Sequence, residues 1–256
     1  MSLDIVLKLS AMLVSIAVFL QCTELLILRP YWIRSGIWSW DTLKLEYSNL
    51  GQKFFTVIFN EAGFFSVLML GAMSSLLLLF TSNHLVLPLM FMTCLLIAKR
   101  FRGTFNGGSD YMTVLVLGVC SVTVLFPKFK SLAFSYLAVQ ALLSYFISGL
   151  SKIKNKSWRN GTALTRLLTT SSYSVPLSLQ AMSKNQKTLA VGSWGVIVLE
   201  LLSPLVLVHP KVCIAFMIVA LCFHLINFYT LGLNRFVFAW AASYPALYWL
   251  AVYLQG

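Results

Sequence analysis

The stretch SLAFSYLAVQALLSYFISGLSKIKNKSW (131–158) is apolar almost to its end and turns basic just past Gly149: Lys152 closes the apolar run, and Lys154, Lys156 and Arg159 follow at once. The run does not alternate with period two, so it is not read as a barrel strand, and it has the length of about 20 residues that one helical bilayer crossing needs. The reading is a membrane helix over 131–150 that emerges at a charged headgroup boundary.

The same pattern recurs outward in both directions. Apolar runs place helices near 5–27, 54–80, 85–98, 111–127, 131–150, 188–208, 212–233 and 236–254. With 59% hydrophobic and 10% charged residues and a mean hydropathy of +0.85, the chain has too little polar surface to coat a water-soluble globule. The expected fold class is all-α, a polytopic transmembrane helical bundle of about seven or eight helices, forming one integral membrane domain over residues 1–256. The runs at 85–98 and 111–127 are short for full crossings, which leaves the count open by one around the link AKRFRGTFNGGSD (98–110). Residues 28–53, with three tryptophans among cations, and the more basic 151–187 suit amphipathic segments lying at headgroup level.

In a soluble protein the formal charge of +12 would suggest nucleic acid. Here Lys and Arg cluster between apolar runs, so the bilayer is the expected partner and nucleic acid is not. On the eight-helix count the basic links alternate, and the positive-inside rule places them in the cytoplasm with both termini outside. The expected location is a cell (inner) membrane, crossed several times. The N-terminal run lacks a basic start and a small-x-small cleavage site, so it is read as a retained first helix. All five cysteines fall inside apolar runs without metal-ligand spacing, as small buried hydrophobes do, and no metal site is expected.

Carboxylates inside apolar helices are costly enough to mark function or pairing. Glu24, near a helix end, is expected to reach the interface beside Arg29. Glu61 in FNEAGFF and Glu200 in VIVLELLSPLV are expected to face the interior, protonated or paired, either as structural ties or as a working acid or base. His224 and Asn227, three apart in ALCFHLINFYTLGLN, share a helix face, with Tyr229 slightly off it. They read either as interhelical hydrogen-bond glue or as a polar cavity wall. Lys152 reads as a helix-end lysine reaching the headgroups, or as a desolvated amine whose neutral form is favoured by the cations around it. No HExxH, GxSxG, P-loop or dinucleotide fingerprint is present.

YFISGLSKI (145–153), followed by Trp158 and Gly161, resembles the motif of the vitamin K-dependent gamma-carboxylase and its bacterial relatives, the HTTM (horizontally transferred transmembrane) domain family. The stretch FHLINFYTLGLNRFVFAWAASYPALYW (223–249) and the helix carrying Glu200 resemble further parts of the same pattern, so the likeness covers the chain from about residue 140. It implies a bundle with an internal polar cavity formed by Lys152, Glu200, His224 and Asn227. Lys152 is then the base that deprotonates a quinol, His224 and Asn227 orient the substrate, and Trp158 and Tyr229 contact the cofactor. The implied activity is carboxylase-like modification or maturation of a peptide, such as a small secreted one, or of a lipid-soluble substrate. The competing reading is a noncatalytic scaffold or partner membrane subunit in secreted peptide toxin maturation. A transporter has less support, since no internal repeat with paired broken helices is seen. Three local features depart from the carboxylase: Ser151 replaces the first lysine of a pair, the Lys152–Trp158 gap is one residue longer, and FNGGSD (105–110) has no histidine. The carboxylase also carries a large soluble region, and none is expected in this sequence, which runs to Gln255-Gly256.

Overall fold

The computed structural model describes residues 1–33, 35–103, 107–170 and 175–256, without the side chain of residue 46. Residues 104–106 of the link AKRFRGTFNGGSD, residue 34 of the first interfacial segment and residues 171–174 of the second lie outside the described residues. All regular structure among the described residues is helical, as a bilayer requires when no barrel closes the backbone hydrogen bonds.

Among the described residues, six helices are long and apolar enough to cross a membrane: Leu3–Ile27, Glu61–Thr81, Gly107–Leu125, Pro127–Lys154, Pro210–Leu231 and Asn234–Tyr253. The protein is a multi-pass membrane protein, with six such helices rather than seven or eight. Leu87–Arg100, with 14 residues, is shorter than a crossing. The expected helix over 188–208 breaks into the α-helix Gln186–Leu201 and the 3-10 turn Ser203–Val208, because Pro204 removes a ladder donor just after Leu202. The alternation that set both termini outside rested on eight crossings, so it loses its footing.

The expected helix over 54–80 is likewise two helices, Asn49–Phe59 and Glu61–Thr81. Between them Asn60 turns its side chain to accept from the Gly63 N–H at 2.8 Å, a helix N-cap. That break brings Glu61 out of the interior. Its carboxylate is 43% exposed and pairs with Arg29 at 2.8 Å.

Large apolar side chains face outward along the long helices, Ile214, Ile218, Leu225 and Ile226 on Pro210–Leu231 among them. Outward apolar faces of this length fit lipid, not water. The chain divides into two compact units, Leu7–Lys130 and Met1–Val6 with Ser131–Gly256.

In the first of these units the first interfacial segment forms short helices at Arg29–Trp32 and Trp40–Leu43. Arg100, at the end of Leu87–Arg100 and fully buried, donates to the carbonyls of Phe59 at 2.8 Å, Trp32 at 3.0 Å and Trp38 at 3.3 Å. Its guanidinium lies 4.3 Å from the Phe64 ring centroid. Within the same unit, Gln21 donates to Asp110 at 3.3 Å and ties Leu3–Ile27 to Gly107–Leu125.

Candidate functional site

The second unit holds Lys152, Trp158, Glu200, His224, Asn227 and Tyr229. Lys130–Lys154 is a 25-residue helix whose positions 145, 148, 149 and 152 fall on one face. That face meets Gln186–Leu201 at Gly149, where a Cβ would stand only 2.9 Å from the Leu201 nitrogen and 3.0 Å from the Glu200 Cβ. Glycine at this point lets two backbones approach closely enough for short polar side chains to bridge them.

The bridge is an ion pair. Lys152 Nζ donates to both carboxylate oxygens of Glu200 at 2.8 Å and also to Ser148 Oγ, while Ser148 Oγ donates to Glu200 Oε1 at 3.1 Å. The Lys152 side chain is 15% exposed and that of Glu200 5%. Each carboxylate oxygen therefore has a donor, which is the condition for keeping a charge pair out of water.

The segment that follows covers the pair. The Trp158 ring centroid lies 5.0 Å from Lys152 Nζ, a cation–π contact. Asn155 accepts from the Ser157 N–H at 3.0 Å and opens the short helix Lys156–Arg159. Ser193 Oγ then donates to the Trp158 carbonyl at 2.5 Å. At Gly161 the backbone adopts φ +80°, with a Cβ position only 2.5 Å from the Ala190 nitrogen, so the turn docks on Gln186–Leu201.

This geometry corrects the electrostatic argument for Lys152. Lys154, Lys156 and Arg159 are exposed, and the charge that meets the amine is a carboxylate rather than another cation. Lys152 turns inward to its pair, not outward to the headgroups.

His224 sits in a second cluster of the same unit. It is 1% exposed, and its Nε2 lies 2.7 Å from the Tyr145 hydroxyl, which is 3.3 Å from the Tyr244 hydroxyl. The His224 ring stacks on Trp240 at 5.4 Å and 25°, and Phe216 closes edge-on against Tyr145 at 5.2 Å. Tyr145 is one helical turn before Ser148, so one face of Lys130–Lys154 carries members of both clusters.

The structure thus brings Lys152, Glu200 and Trp158 together, and sets His224 one helical turn of Lys130–Lys154 away in a cluster of its own. Asn227 is half-buried on the His224 face and makes no hydrogen bond to a described residue. Tyr229 is 67% exposed, on the outward side of its helix. Ser148, Tyr145, Tyr244 and Trp240 belong to the clusters although the sequence reading did not single them out. Spacing from Lys152 would have found the first two, at i−4 and i−7 on one helix face. Tyr244 and Trp240 carried no such signal.

The Lys152–Glu200 pair can exchange a proton over one hydrogen bond.

Residues 127–249 match the family model described as HTTM domain. No curated protein and no solved structure matches the chain.

Proposed function

We propose, from the match of residues 127–249 to the family model described as HTTM domain, that the protein is a membrane-embedded acid–base enzyme that modifies a peptide or lipid-soluble substrate, with Lys152 as its base. The observation that carries this reading is the buried Lys152–Glu200–Ser148 cluster under Trp158. Purely structural ion pairs gain little in a dry interior, so a buried pair beside an aromatic surface at a helix end is a functional candidate.

In the working sequence Lys152 passes a proton to Glu200, and the neutral amine then takes one from an acidic O–H of the substrate. The net result is one proton moved from substrate to Glu200, with the ammonium restored. Ser148 holds the carboxylate through Oε1 while this happens. A quinol, the partner implied by the family likeness, fits the cluster in part: Trp158 gives a flat ring beside the amine, whereas Tyr229 stands outside. When bound, it would supply the acidic O–H and reducing electrons. A cell membrane is the proposed location.

One observation favours a second reading. The same pair joins Lys130–Lys154 to Gln186–Leu201 across Gly149, which is what a noncatalytic scaffold needs of it.

Coexpression with a small glutamate-bearing secreted peptide separates the two. Mass spectrometry is expected to find peptide carrying added carbon dioxide with the wild-type protein and none with Lys152→Ala at equal protein level. Equal product from both would remove Lys152 as the base.

A further inference from the structure

The aromatic cluster around His224 contains two buried nitrogens without a hydrogen-bond partner among the described residues: His224 Nδ1 and Trp240 Nε1. They lie on rings whose centroids are 5.4 Å apart. A buried donor left unpaired costs the free energy of its desolvation, so two on stacked neighbours call for a physical reason.

The tautomer of His224 follows from its one partner. Nε2 and the Tyr145 hydroxyl are 2.7 Å apart. An imidazole nitrogen is the better acceptor of the two groups and a phenol the better donor, so the hydroxyl donates and Nε2 accepts. Tyr145 oxygen keeps a lone pair for the Tyr244 hydroxyl at 3.3 Å. In a neutral ring the proton then sits on Nδ1, which becomes a donor. Trp240 Nε1 is a donor in any state.

We infer that His224 Nδ1–H and Trp240 Nε1–H form a donor pair for an uncharged carbonyl oxygen of the substrate. The surroundings select against an anion. The rings and hydroxyls that pack here, those of Tyr145, Phe216, Phe236, Tyr244 and Trp240, are uncharged, and a carboxylate set among them without a partner is far more costly than a carbonyl. The Phe236 and Trp240 rings are stacked at 21° and the His224 and Trp240 rings at 25°, so they present flat faces beside the donors. This extends the proposed chemistry to the substrate's carbonyl group and does not require Lys152 to be the base.

Thermal unfolding of the purified full chain in detergent tests it, with acetophenone as a neutral carbonyl probe and ethylbenzene as its counterpart without oxygen. Binding to the folded state raises Tm. The expected result is a larger rise with acetophenone, lost in Trp240→Phe when the shift of each protein is taken against its own Tm without probe. The same rise is expected to survive in Lys152→Ala, which separates this site from the base assignment. Equal or absent shifts with the two probes, or an acetophenone shift retained in Trp240→Phe, would overturn the donor pair.

Discussion

Arg100 in Leu7–Lys130 and Lys152 in the other unit are both buried cations at the ends of helices, yet their surroundings differ in kind. Arg100 spreads its donors over the carbonyls of Trp32, Trp38 and Phe59 and lies against the Phe64 ring. Lys152 is matched to one carboxylate and one hydroxyl. Burial lowers the Arg100 pKa to about 10, which leaves it charged at neutral pH, and no partner there accepts a proton readily. Its fork stitches three stretches of backbone into one knot. The lysine site instead sets the ammonium against a carboxylate at 2.8 Å. One arrangement fixes a charge, and the other is proposed to let a proton move.

The sharpest way to break this contrast is Arg100→Met. It strands three carbonyls and a guanidinium-shaped space, with an expected loss of about 3–5 kcal/mol or failure to fold, measured by chemical or thermal unfolding. Arg100→Lys is expected to recover little, since a single ammonium cannot span three carbonyls with the geometry of the fork. A knot that tolerates lysine would make the two sites alike after all.

Lys152→Met alone leaves Glu200 buried without its cation. The expected cost is about 2–3 kcal/mol, below the arginine value because the Lys152 side chain is 15% exposed and water already reaches part of it. A smaller effect is expected from Gly149→Ala, whose added methyl meets Leu201 and Glu200 at about 3 Å and pushes the two helices apart at about 1–3 kcal/mol. Turnover in that variant is expected to fall further than its stability, because a shift of this size spoils the lysine–carboxylate hydrogen bonds.

These two cations were unequally legible in the sequence. Lys152 stood out because it closes an apolar run, and Glu200 because a carboxylate lies within one; Gly149, Trp158 and Gly161 came with the family pattern. Their union across 48 positions could be expected only as some pairing. Arg100 was one more basic residue in a link, since its partners are backbone carbonyls and no side-chain pattern announces them. Asn60 was passed over for a related reason: FNEAGFF reads as continuous apolar helix until the Asn60 side chain is seen to cap Gly63. That cap also explains why Glu61 is exposed rather than interior. The helix count fell short of seven or eight where Pro204 breaks the apolar run at 188–208 and where the run at 85–98, already short for a crossing, forms a helix of 14 residues.

If the Lys152–Glu200 pair serves chemistry rather than stability, the double variant Lys152→Met with Glu200→Leu must fold and yet be inactive. Replacing a buried pair by apolar residues of similar size is expected to leave stability unchanged or to raise it by up to about 4 kcal/mol. The measurement is turnover of the glutamate-bearing peptide by purified protein whose unfolding midpoint has been checked against wild type. A midpoint at or above that of wild type with no product is expected; product at the wild-type rate from the folded double variant would remove the pair from the chemistry.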